Sequence, residues 1–472
     1  MVSVEVVRER LNRVGQDHLL STLPRLKDGD KAALLEQIHA LDLESVPQLI
    51  KDFVLAKPKF STPTSLEPAP FFAASDHTWD RASYRREGER LLREGKVAAF
   101  VVAGGQGSRL GFDGPKGCFA AGVMTDKSLF QLFAEQLRAA SKRYGRAVPW
   151  YIMTSPLNHE ATVSFFESHG HFGLEAGDIK FFPQGVMPSF DITSGKILMT
   201  SDFEVATNPD GHGGSIRALK VSGALDDMRR RGIEHVSYFQ VDNPHVRILD
   251  PLFIGLHASA PGSSAEMSSK MIPKSSPEEK VGVFCKVNGK IEVIEYSDLP
   301  AELQKERLPD GSIRFIAGSI AIHMISVEFI SRLADDPRFA LPYHRAEKKI
   351  PCINVETGEV VSPTVNNGVK LERFVFDALA MCRGSIVMET DRVEEFAPIK
   401  NATGADSVQS CHELQTERAA RWLESRGIAV PRGADGKPTC VIEISPLTAT
   451  EASEIPPNAL PAKIAAGERL SL

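Results

Sequence analysis

The chain has 472 residues, 42% of them apolar and 25% charged, the balance of an ordinary globular protein of two or three domains. Its net charge of −6 supplies no global basic field for nucleic acid or an anionic membrane surface, so any phosphate it binds must be met by local geometry. Six cysteines (Cys118, Cys285, Cys352, Cys382, Cys411, Cys440) lie far apart with no CxxC pair, which fits reduced thiols better than a disulfide framework or a zinc site.

The first twenty residues lack the apolar core of a signal peptide and read as an amphipathic helix with Val6, Leu11 and Val14 near one face. Helical spacing continues to about residue 56, as expected of a helical layer packed on a main domain. No 18 apolar residues run together, so no membrane span is expected, and a cytoplasmic location follows as the expectation. Residues 57–84 are rich in proline and aromatics and read as an extended connector.

The pattern then changes. Lys96–Ala103 is a short apolar run ending in glycines, the signature of a buried parallel strand. Ser128–Tyr144 is helical, Trp150–Thr154 a strand, His159–His169 a helix and Ile179–Phe182 a strand. Gly214–Arg231 reads as one helix and Val236–Val241 as a strand. Such alternation implies an α/β domain with a mostly parallel or mixed sheet. Val281–Val287 and Ile291–Tyr296 flank Asn288-Gly289, a hairpin signal. Val369–Met381 reads as a helix and Ser385–Met388 as a strand. Beyond residue 402, a charged helix (His412–Arg426) and the β-type run Cys440–Ile444 suggest a small C-terminal domain. The expected division is 1–84, 85–402 and 403–472, with no internal repeat.

The most informative segment follows the first strand: Gly104-Gly105-Gln106-Gly107-Ser108-Arg109-Leu110-Gly111, continuing to Gly114-Pro115-Lys116-Gly117. Open α/β sheets bind ligands at the C-terminal ends of their strands, and glycines let backbone N–H groups close around an anion. Arg109 and Lys116 add two cations, which suits a triphosphate. No G-x-x-x-x-G-K-[ST] string occurs, and a G-x-G-x-x-G pattern begun at Gly105 fails at Leu110, which opposes a nicotinamide-dependent oxidoreductase. Taken alone, the loop is also compatible with a tight strand-to-helix turn bearing surface cations.

The full string GGxGSRLGxxxPKG resembles the signature of the UDP-sugar pyrophosphorylases, in particular the eukaryotic-type UDP-N-acetylhexosamine pyrophosphorylases, with Ser108 where that family usually has Thr. Further blocks run in family order: Trp150–Ser155, Phe182–Pro188, Asn208–Gly214, Val241–Asn243, Val281–Val283, Val293–Ser297, Asn367–Asp377, Phe396–Asn401 and Glu443–Leu447. The resemblance implies a glycosyltransferase-A-like, Rossmann-like nucleotidyltransferase that joins UTP and a hexose-1-phosphate, releasing pyrophosphate. N-acetylglucosamine-1-phosphate is the expected sugar phosphate, and glucose-1-phosphate the alternative.

The resemblance also implies roles. Gly104, Gly105 and Gly211 would contact the nucleotide. Gln184 would read uracil, whose edge requires the donor–acceptor pair that Gln offers. Arg109 and Lys116 would act on the UTP phosphates, Lys400 on the sugar phosphate, and Lys370 would be a phosphate contact. Asp242 closes a buried strand, needs a partner for its charge, and would hold Mg²⁺. His212, Gly213, Gly282, Glu295 and Ser319 would surround the sugar. His212 and Ser319 stand where the N-acetylhexosamine pattern has Asn, and a His before Gly is reminiscent of the UDP-glucose branch. Chemistry would be an in-line attack of a sugar phosphate oxygen on the α-phosphorus, carried by positioning and charge neutralisation with no general base. A nucleotide-sugar-binding regulator that had lost catalysis would be expected to lack Arg109, Lys116 or Asp242, and all three are present. The terminal regions are candidates for self-association, so monomer and homodimer both stay open.

Overall fold

The computed structural model describes residues 2–57, 63, 65–336, 338 and 340–472. It divides into two compact units, one built from the described residues of 1–61, 184–215 and 341–375, the other from 62–183, 216–340 and 376–472.

The second, larger unit is organised by a ten-stranded mixed sheet. Its strands are β1 (Leu66–Pro68), β2 (Val97–Val102), β3 (Trp150–Thr154), β4 (Ile179–Pro183), β5 (His235–Gln240), β6 (Met267–Pro273), β7 (Val283–Val287), β8 (Lys290–Ile294), β9 (Ala317–Ser326) and β10 (Val387–Glu389). The order along the main path is β1-β7-β9-β5-β2-β3-β4. β5, β2, β3 and β4 are mutually parallel, whereas β9 runs antiparallel to β5. Every residue of β2 and β3 is buried, as expected of strands covered on both faces. The hairpin β7–β8 turns at Asn288 (φ 47) and Gly289 (φ 86), the left-handed pair that a tight turn of matching twist requires.

Helix α1 (Arg81–Arg93) precedes β2 and α2 (Leu129–Tyr144) precedes β3. The Ser128 hydroxyl accepts from the Gln131 N–H at α2's start, and Gly145 (φ 67) closes it. α3 (His159–Ser168) follows β3, and Phe166 meets Phe130 and Trp150 edge-on at ring-centre distances of 4.9 and 5.4 Å. Helix α4 (Val408–Ser425) and the short parallel pair Val441–Glu443 and Arg469–Ser471 carry a small separate core around Ala420, Leu423, Ile442 and Ile455.

In the smaller unit, helices Val4–Arg13 and Asp28–Ala40 share their buried side chains with Phe190, Met199, Val205, Val369 and Leu371. The buried face of the first helix is Val7–Leu11–Val14, an i, i+4, i+7 stripe, and Val6 points outward at 49% exposure, which corrects the expected face. The extended connector expected from residue 57 falls, at 58–62 and 64, outside the described residues.

Two further expectations are corrected. Gly214–Arg231 is two helices, Ser215–Val221 and Ala224–Arg230, because Gly223 takes φ 69 between them. Val369–Met381 is helical only in its second half: Gly368–Glu372 is a strand paired with His344–Lys348, and a 3-10 helix follows at Val375–Met381. Val369 and Leu371 are buried while Lys370 and Glu372 are half-buried, a period of two that the short apolar run concealed.

Candidate active site

In the larger unit, β2 ends at Val102 and the chain passes into the glycine loop. The loop folds back on itself: Lys116 N–H donates to the Gly105 oxygen at 3.0 Å and Gly107 N–H to the Gly114 oxygen at 2.9 Å. Its glycines have different physical reasons. A Cβ on Gly117 would lie 2.1 Å from the Phe130 ring, and one on Gly107 2.6 Å from the Phe112 ring, so internal packing requires both. A Cβ on Gly105 would meet nothing within 4 Å, and the residue is exposed. No internal packing reason therefore exists for a glycine there.

Arg109 is exposed in the 3-10 turn Ser108–Leu110, and Lys116 begins the turn Lys116–Cys118. Burial lowers the Lys116 pKa from the usual lysine value; Asp242 opposes that shift, and the positive charges of Arg109 and Lys400 add to it. Arg109, Asp242 and Lys400 are thus all within electrostatic reach of Lys116, and the four groups come from three segments of the chain. Asp242 lies just past β5, where Val241 N–H still donates to the Val102 oxygen at 3.1 Å. Lys400 is held by a bond from its own N–H to the Asp406 oxygen at 2.7 Å, and its Nζ lies 3.3 Å from the Asp406 carboxylate. No group of three or more His, Cys, Asp or Glu among the described residues could hold a metal. A cation at Asp242 would share its coordination with phosphate oxygens and water, the ligands that Mg²⁺ commonly keeps.

The three sugar candidates of this unit also converge. Ser319 N–H donates to the Gly282 oxygen at 2.8 Å, and a Cβ on Gly282 would lie 3.1 Å from the Glu295 carboxylate. The pairing of β7 with both β8 and β9 brings them together.

The smaller unit gathers the remaining candidates. Val186–Pro188 pairs antiparallel with Thr207–Pro209, and Asp210 N–H donates to the Gly185 oxygen at 3.2 Å, so the Gln184 and Gly211 loops adjoin. Gln184 is buried. Gly211 has φ 82, and a Cβ there would lie 2.4 Å from the Arg373 oxygen, to which Gly213 N–H donates at 2.8 Å. Lys370 sits in the adjoining strand Gly368–Glu372. The His212 ring stacks on Phe374 (5.0 Å between centres, 15°), and Phe374 stacks on His344 (4.2 Å, 27°). His212 Nδ1 accepts from the Val375 N–H at 3.1 Å, so a neutral His212 carries its proton on Nε2. Burial, and secondarily the charge of His344, pushes the His212 pKa down to about 4.

Sequence reasoning missed two buried asparagines. Asn158 donates to the Ala103 and Gly105 oxygens at 3.1 and 3.3 Å. Asn243 donates to the Glu395 oxygen at 2.7 Å and accepts from the Ala397 N–H at 3.1 Å. The first looks in sequence like an ordinary helix cap. The second adjoins Asp242, which was its only signal.

The model of a family described as UTP–glucose-1-phosphate uridylyltransferase matches residues 73–425. The chain is 36% identical to UDP-N-acetylhexosamine pyrophosphorylase-like protein 1 of Xenopus tropicalis, over 94% of this chain and 92% of that protein. It is 36% identical to the UDP-N-acetylglucosamine pyrophosphorylase of Saccharomyces cerevisiae, over 90% and 89%. The crystal structure of the uridine diphosphate N-acetylglucosamine pyrophosphorylase from Trypanosoma brucei superposes with a TM-score of 0.82 at 27% identity, covering 100% of this chain and 98% of that one.

Proposed function

The chain belongs to the UTP–glucose-1-phosphate uridylyltransferase family and is a uridylyltransferase; on that premise we propose that it joins UTP to N-acetylglucosamine-1-phosphate, using the loop cations and Asp242. The observation that carries the reading is the electrostatic convergence of Arg109, Lys116, Asp242 and Lys400 beside the parallel strands β2 and β5. Two anions must meet for the reaction to proceed, and a phosphate monoester is already a nucleophile near neutral pH. Charge neutralisation and alignment are then the main tasks of the protein.

Arg109 neutralises the departing β- and γ-phosphates. Lys116 holds the α-phosphate, and Lys400 orients the sugar phosphate for in-line attack. Asp242 would hold Mg²⁺, which when bound withdraws charge from the phosphate oxygens. In the larger unit, Gly104 and Gly105 allow close approach of backbone to the nucleotide; in the smaller, Gln184 is the candidate for the uracil edge and Gly211 for a backbone contact. Lys370 is a further phosphate contact. The sugar candidates are Gly282, Glu295 and Ser319 in the larger unit and, separately, His212 and Gly213 in the smaller. The relatives named for N-acetylhexosamine or N-acetylglucosamine support that sugar over glucose.

The test is pyrophosphate release from UTP with the 1-phosphates of N-acetylglucosamine, N-acetylgalactosamine, glucose and galactose, with Mg²⁺ and with a chelator. The ratios of kcat/KM identify the sugar. A preference for glucose-1-phosphate would overturn the sugar assignment, and undiminished activity in chelator would overturn the role of Asp242.

A further inference from the structure

We infer that Asn158 is a positioning residue that turns two backbone N–H groups of the glycine loop toward UTP. The inference rests on the nucleotide-binding reading of that loop.

Asn158 occupies the N-cap position of α3, where an Asn side chain ordinarily accepts from the helix's own first-turn N–H groups. Here it makes no such bond. Its Oδ1 accepts from the Ser155 N–H at 2.7 Å, and its Nδ2 reaches the carbonyls of Ala103 and Gly105. The side chain is only 1% exposed, so both ends of the amide are committed in a dry setting.

A trans peptide points its C=O and its N–H in opposite directions. Anchoring the Ala103 oxygen on Asn158 therefore aims the Gly104 N–H away from it. Anchoring the Gly105 oxygen, which Lys116 N–H also holds, does the same for the Gln106 N–H. Among the described residues none accepts from the N–H groups of Gly104, Gly105 or Gln106, although their neighbours Ala103 and Gly107 both donate, to Met153 and Gly114. The Gln106 side-chain oxygen is likewise buried with no partner among the described residues. Oriented N–H groups at a strand end, next to an exposed Gly105, are donors suited to the oxygens of a nucleotide.

The direct test is UTP binding by calorimetry to the full chain and to Asn158→Asp. A carboxylate can still accept from the Ser155 N–H but cannot donate to two carbonyls. The expected result, read at a temperature where both proteins are folded, is a Kd for UTP weakened roughly tenfold or more, the scale of losing one or two aligned hydrogen bonds; the buried carboxylate also lowers the thermal midpoint. Equal UTP affinity in the variant and the parent would overturn the inference. Failure of the parent itself to bind UTP would instead overturn the function on which it rests. A second measurement needs no variant: UTP should slow amide exchange at Gly104 and Gln106 in the parent chain. Unchanged exchange at both, with UTP bound, would equally overturn the inference.

Discussion

Ile399 donates its N–H to the main-chain oxygen of Asp242 at 2.8 Å, so the residue preceding Lys400 is tied to the residue proposed to hold the metal. Asn243 reinforces this link by gripping the same segment at Glu395 and Ala397. The Glu395 carboxylate is in turn held at 2.6 and 2.7 Å by Lys270, a fully buried lysine that also pairs with Asp250. The Lys400 segment is therefore fixed through its backbone and through a buried ion network.

If this link sets where Lys400 stands, Asn243→Ala should lower kcat by up to about 10²-fold, the cost of a misplacement near 1 Å. The measurement is a double-mutant cycle with Lys400→Ala. Asn243→Ala should add little once Lys400 is gone, because both changes remove one function. Fully multiplicative losses would show that Asn243 acts elsewhere.

Arg109→Ala and Lys116→Ala should each lower kcat by about 10²–10³, the scale for removing one preorganised charge stabiliser. They should differ in their pH profiles. Burial already holds the Lys116 pKa below the usual lysine value, so activity that needs a charged Lys116 falls as pH rises through that lowered pKa. Arg109 contributes to the lowering, so Arg109→Ala should move the alkaline limb of kcat/KM to higher pH. An unmoved limb would remove Lys116 from the titrating step.

The loop glycines should separate by mechanism. Gly117→Ala forces a methyl into the Phe130 ring and should destabilise by about 1–3 kcal/mol, read as a lowered thermal midpoint. Gly105→Ala meets nothing within the chain and should leave the midpoint unchanged or slightly raised, yet weaken UTP binding. Intact UTP affinity in Gly105→Ala would remove that glycine from the nucleotide site.

His212 should remain neutral through the physiological range, with its ring titrating near about 4. The unfolded chain binds that proton at ordinary histidine pKa, so between about 6.5 and 4 the unfolded state holds more protons and the His212 contribution to stability declines as pH falls. Other histidines are also lowered by burial, so the decisive quantity is a difference. His212→Asn should flatten the acid side of the stability curve relative to the parent, and parallel curves would place the His212 pKa near its normal value.

The sequence by itself determined the parallel core and its ligand edge. Val97–Val102 and Trp150–Met153 are apolar without interruption and rich in β-branched or aromatic residues, which suits strands buried on both faces, and the glycine string marks where β2 stops. Asn288-Gly289 likewise specified its hairpin, because few other residues tolerate φ of 47 and 86 in succession. These signals are local: each is complete within a handful of neighbouring residues. Val369–Met381 misled for the same reason, since a short apolar run has no period long enough to separate helix from strand, and pairing with His344–Lys348 decided it. What only the tertiary structure decided is which distant groups meet. Asn158 meets the Ala103 and Gly105 carbonyls only in the packed fold, and Lys400 comes within electrostatic reach of Lys116 in space despite their separation in sequence. Hydrogen bonds and charges act over distances set by the packed fold, and chain spacing does not encode those distances.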